Sequence, residues 1–132
     1  MNLLLRYDEA VIPIEKFTKH CLSSAAQPNK AIAFELALGY NVTNADILIA
    51  DIRRNLSFCP AKSRGDNGYG MRYEVIMMLT ELNGKSAKVL TSWIDDYQSG
   101  EMRLTSAYVD KRKGGQYDYY ERWSGKITYK RT

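Results

Sequence analysis

The chain has 132 residues, 45% of them apolar and 26% charged, with a net charge of +4. That length suits one domain over residues 1–132, with a core that needs no disulfide or metal staple. No apolar run reaches the roughly 18–20 residues of a membrane helix, and Arg6 and Asp8 cut the opening Met1-Asn2-Leu3-Leu4-Leu5 short of a signal peptide, so a cytoplasmic protein is expected.

Val11-Ile12-Pro13-Ile14 is a short β-type run, and Pro13 then suits the start of a helix over Ile14 to Leu22. Ser23 to Asn29 reads as a loop. Lys30 to Leu38 reads as a helix, with Ala31, Phe34 and Leu38 on one stripe and Gly39 as its stop. Thr43 to Asn55 is the next helix, capped by Thr43 and buried along Ala45, Leu48, Ile49 and Ile52. Cys59 to Gly70 is rich in turn formers and reads as a loop.

Beyond Gly70 the period falls to two. Met71, Tyr73, Val75, Met77 and Leu79 alternate with Arg72 and Glu74. Asn83-Gly84 is a hairpin signal, Ser86 to Ile94 the return strand, and Met102 to Val109 a third strand after the Gln98-Ser99-Gly100 turn. Tyr117 to Tyr120 and Ile127 to Lys130 are weaker strand candidates. Helices followed by a hairpin-connected sheet define an α+β fold, with two to three N-terminal helices packed on a four- to five-stranded antiparallel sheet.

Cys21 and Cys59 form no CxxC motif, and His20 is the sole histidine. Both thiols therefore read as free, and neither a metal nor another cofactor is expected. From Lys111 onward there are seven basic residues against Asp118 and Glu121. Residues 110–132 thus form a basic extension, in which Lys111, Arg112 and Lys113 could hold an RNA backbone.

A two-residue turn at Asn83-Gly84 would set Leu82 against Lys85 and Glu74 against Trp93. Paired residues share a face, so Arg72, Glu74, Thr91 and Trp93 would stand together, away from the helices. On the third strand, Met102, Leu104, Ser106 and Tyr108 form the more apolar set, which leaves Arg103 and Thr105 on the open face. That grouping combines arginines for phosphate, a carboxylate base and an aromatic for stacking. It assumes no bulge, since a one-residue slip exchanges the faces.

Ile12 to Lys19, Lys30-Ala31, Leu38-Gly39-Tyr40, Tyr69-Gly70 with Tyr73, Asn83-Gly84, Thr91 to Ile94, and Arg103-Leu104-Thr105-Ser106-Ala107-Tyr108 occur in an order and spacing that resembles a small uncharacterised bacterial domain. The similarity spans about residues 11–109. That domain in turn resembles the barnase–EndoU–colicin–RelE-like group of ribonuclease toxins. The resemblance implies a metal-independent endoribonuclease, often directed at tRNA, with RNA as substrate and a neutralising antitoxin or immunity protein as partner. It points to Lys30, Arg103, Thr105 and Tyr108, to which strand parity adds Arg72 and Glu74 as catalytic candidates and Thr91 and Trp93 as RNA contacts. Parity by itself makes Tyr108 a core residue. Where the domain carries His-Pro-x-Gly, this chain has Ala26-Gln27-Pro28-Asn29, with Gln27 in the place of the histidine. A catalytically inactive RNA- or protein-binding module is the other reading.

Overall fold

The computed structural model describes residues 2–80, 84 and 86–110. Within them the chain is α+β: helices first, then a four-stranded antiparallel sheet in the order β1-β2-β3-β4. The strands are β1 (Ala61–Asp66), β2 (Gly70–Thr80), β3 (Ser86–Asp96) and β4 (Met102–Val109). The helices are α1 (Pro28–Leu38) and α2 (Ala45–Leu56), preceded by a short π-helix at Phe17–Cys21. No described helix is long and apolar enough to cross a membrane.

Local chemistry accounts for the helix ends. Pro28 occupies the first turn of α1, where a missing N–H costs nothing, so this helix starts within the stretch expected to be loop. Gly39 ends it at φ 75°, a left-handed position that glycine adopts without strain. Thr43 does not cap α2. Asn41 does that work one turn earlier: its Oδ1 accepts from Thr43 N at 2.9 Å, and Asn44 Oδ1 accepts from Asn41 N at 2.8 Å, closing a capping box on the 3-10 turn Val42–Asn44.

The core lies between the helices and one sheet face. Phe34 and Leu38 of α1 and Leu48, Ile52 and Leu56 of α2 are fully buried against Val75, Met77, Leu79, Val89, Trp93, Leu104 and Ala107. Helix α1 lies against β3 and β4, and α2 against β2. Cys21 and Cys59 are both free and buried. Val11 makes a parallel bridge to Arg103: its N–H donates to Met102 O, and Leu104 N donates back to Val11 O. The N-terminal segment therefore occupies the outer edge of β4.

Three features of the sheet depart from the sequence reading. Residues 61–66, expected as loop, form edge strand β1. Its side chains beyond Ala61 are all exposed, so no apolar alternation marks it. Second, β2 and β3 pair one residue out of the expected register: Tyr73 faces Trp93, Glu74 faces Ser92, and the last pair is Thr80 with Ser86. An odd number of residues, 81–85, separates that pair, whereas a two-residue turn needs an even one. Third, β4 carries a bulge. Ser92 pairs with Ser106 and Trp93 with Leu104, so Thr105 is an extra residue. The strand candidates after Tyr117 lie outside the described residues.

Candidate functional site

The sheet face turned away from the helices is divided along its length. One half is apolar, where Ile76, Leu90 and Tyr108 lie in one cross-strand row beside Met78. The other half is polar. There Lys62, Glu74, Ser92 and Ser106 form a continuous row across all four strands. Arg72, Ile94 and Arg103 form the adjacent row.

The polar half is concave. A cavity of about 410 Å³ is lined by Arg64, Asn67, Arg72, Glu74, Ser92, Ile94, Thr105 and Ser106 among others. From the far side, α1 contributes Lys30: its Nζ donates to Ser106 Oγ at 2.9 Å and stands 5.7 Å from the centre of the Tyr108 ring. A second, mostly apolar recess of about 320 Å³ lies between Asn29, Lys30 and Ala33 of α1 and Tyr108 and Val109 of β4.

Four expected catalytic residues converge on this half of the face. Arg72, Glu74 and Thr105 line the cavity and Lys30 borders it through Ser106. The Glu74 side chain is half-buried and makes no hydrogen bond or ion pair among the described residues. Thr105 donates to Ser92 O at 3.1 Å. Arg103 shares the face but does not line the cavity, and its Nη1 donates to Glu101 Oε1 at 2.8 Å.

Thr91 and Trp93, expected as RNA contacts, are core residues at 0% and 1% exposure, so Trp93 borders the cavity while offering it almost no surface. The register is the reason, because pairing with Val75 and Tyr73 turns both toward the helices. The indole N–H of Trp93 donates to Thr91 Oγ1 at 2.8 Å, and that hydroxyl donates to Val75 O at 2.7 Å. Leu90 and Ile94 move the opposite way, onto the open face. The bulge has the matching effect on β4. Ser106 and Tyr108, which parity assigned to the core, stand on the open face, while Ala107 and Val109 are buried. Lys111, Arg112 and Lys113 lie outside the described residues.

Sequence reasoning missed Arg64, Asn67, Ser92 and Ser106. Arg64 and Asn67 fell in a supposed loop, and the two serines carry no periodic signal of their own. The turn holding Asn67 is braced by side chains: Asn67 Oδ1 accepts from Tyr69 N and Gly70 N, at 2.9 and 3.1 Å, and Asp66 Oδ1 accepts from Gly68 N at 2.6 Å. Tyr97 Oη also donates to Asp66 Oδ2. This bond, with the Gly68 N–H second, holds the Asp66 carboxyl below the usual carboxylate range, and the same carboxylate pushes the Tyr97 phenol up. Among the described residues no group of three His, Cys, Asp or Glu could hold a metal ion.

Residues 3–111 match the model of a family described as a domain of unknown function, DUF6883, and the chain belongs to that family. The match takes in both helices and all four strands. Comparison with curated proteins gives no match, nor does comparison with solved structures.

Proposed function

We propose that the open sheet face is the active site of a toxin-like endoribonuclease that cleaves RNA without a metal, with tRNA among its candidate substrates. One observation carries this reading: Glu74, a carboxylate with no side-chain partner among the described residues, shares a cavity with guanidinium and hydroxyl groups, and Lys30 brings an ammonium to its rim.

The chemistry follows from those groups. Glu74 takes the proton of a ribose 2′-hydroxyl as its oxygen attacks the adjacent phosphorus. The new P–O2′ bond forms as the P–O5′ bond breaks, leaving a 2′,3′-cyclic phosphate. The Lys30 ammonium gives a proton to the departing 5′-oxygen. Arginine at the cavity offsets the charge that gathers on the phosphorane oxygens. A domain with this activity needs a neutralising partner, and a face carrying Lys62, Arg64 and Arg72 around Glu74, with Arg103 paired to Glu101, suits an acidic protein.

Incubation of the purified chain with tRNA and with synthetic single-stranded RNA in the presence of a chelator tests the proposal. Cleavage ending in cyclic phosphate, lost in Glu74→Ala, is expected. RNA left intact by wild-type protein at equimolar ratio sinks the catalytic reading.

Binding without cleavage is the second reading, and a specific observation favours it. The only imidazole, His20, is exposed on the π-helix and lines neither cavity. Gln27, which stands in the place of the expected histidine, caps α1 through its backbone and makes no side-chain cap. Salt-dependent RNA binding with no product would select this reading.

A further inference from the structure

We infer that Arg64 is the residue that takes an RNA phosphate in this cavity, and that Arg72 is a positioning residue that fixes the bulge presenting it. The inference rests on reading the open face as an RNA site.

Both arginines line the cavity, but they are differently employed. Along β1 and β2, Ser63 pairs with Tyr73 and Gly65 with Arg72, which leaves Arg64 as the extra residue of a bulge. From β2, Arg72 reaches back over that bulge. Its Nη2 donates to Arg64 O at 2.8 Å and its Nε to Gly65 O at 3.3 Å. A planar guanidinium can bridge two successive carbonyls in this way; an ammonium cannot. Gly65 has φ +91°, a left-handed conformation that side chains disfavour. Arg72 and Gly65 together hold the backbone that carries Arg64.

The Arg64 side chain is exposed and makes no hydrogen bond or ion pair among the described residues. Its five donors are open, whereas two of those on Arg72 are committed to backbone. Bulges and basic side chains also protect edge strands from unwanted pairing, and Lys62 with the bulge would suffice for that. Edge protection does not call for a guanidinium clamp from the neighbouring strand, nor for the bulged side chain to line a cavity.

Charge-conserving exchanges separate the two roles. The probe is a short single-stranded RNA with 2′-O-methyl groups, which the chain cannot cleave, bound across a range of salt concentrations. Losing one phosphate contact lowers the slope of log K against log salt by about 0.7 for a single strand. Arg64→Ala is expected to show that drop, and Arg64→Lys to keep the wild-type slope. Arg72→Lys keeps its charge but loses the fork. It is expected to behave like Arg64→Ala, with a Gly65 amide resonance displaced further than the change of its neighbour displaces it in Arg64→Ala.

An unchanged slope in Arg64→Ala overturns the phosphate role, and a wild-type slope in Arg72→Lys overturns the positioning role. A wild-type chain that does not bind the probe overturns the RNA reading itself, and this inference with it.

Discussion

Lys30 Nζ and Ser106 Oγ are 2.9 Å apart, a bond that joins the first turn of α1 to the bulge of β4 across 76 positions of sequence. The lysine is also held over the Tyr108 ring, so its charged end is constrained by one polar and one aromatic partner. Few placements of a flexible four-carbon side chain satisfy both.

If Lys30 is the general acid, Lys30→Ala should slow single-turnover RNA cleavage by about 10²–10⁴-fold, the usual contribution of a positioned proton donor. Ser106→Ala keeps the ammonium but frees it to rotate, and should cost about tenfold on the same scale. Equal losses in the two variants would argue that Ser106 has a role beyond holding Lys30.

The buried Trp93–Thr91–Val75 relay should show in stability alone. Thr91→Val leaves the indole N–H without an acceptor in a fully buried place, a defect worth about 1–3 kcal/mol. Urea unfolding should show that loss. RNA binding per folded molecule should not change, because neither residue presents its side chain to the open face.

Two glycines should respond differently to alanine. At Gly70 an added Cβ would lie 2.2 Å from Asp95 O and 2.7 Å from Ile94 Cγ1, so the β2–β3 ladder must part. Gly70→Ala should cost about 3 kcal/mol, the upper range for overpacking. At Gly39 nothing lies within 4 Å, and the penalty is only the left-handed φ of +75°, about 1 kcal/mol. Thermal unfolding of the two variants side by side would check the order.

The Asp66–Tyr97 bond carries a pH signature. The Asp66 carboxyl titrates lower in the folded chain than in the unfolded one. Its contribution is therefore complete above the ordinary carboxylate range and disappears as pH falls through the depressed folded value. The Tyr97 phenol titrates higher when folded, so its contribution holds below the ordinary phenol range and is lost as pH rises through the raised value. Tyr97→Phe should accordingly lower the melting temperature on the plateau between those limits, and the two melting curves should converge in strong acid. Both groups are exposed, so the difference should also shrink in high salt.

The parts legible in the sequence were those where one local signal agreed with the tertiary structure. Ala31, Phe34 and Leu38, closed by Gly39, describe α1 by period and cap, and all three apolar side chains are buried. Val75, Met77 and Leu79 alternate cleanly and are buried on one face of β2. Strand β1 gave no such signal, because an edge strand exposed on both faces needs none. The β2–β3 register turned on a single residue between Thr80 and Ser86, and that decided the fate of Thr91 and Trp93. On β4 the parity count began at Met102, before the bulge, so it located Arg103 and Thr105 and failed at Ser106 and Tyr108 beyond it. Bulges are set by partner strands, and nothing in the six residues Arg103–Tyr108 announces one.

The bulge in β4 also changes how many side chains a strand can offer. A regular strand sends one side chain in two to a given face, so four residues supply two. Residues 103–106 supply three: Arg103, Thr105 and Ser106. Because Thr105 is the unpaired residue, deleting it would restore strict alternation and leave Leu104, Ala107 and Val109 in the core and Ser106 and Tyr108 outside. Deleting Leu104 or Ala107 would instead remove a buried side chain. The strand is thus a seven-residue framework with one supernumerary position, and the chain can gain or lose a hydroxyl there without renegotiating its core.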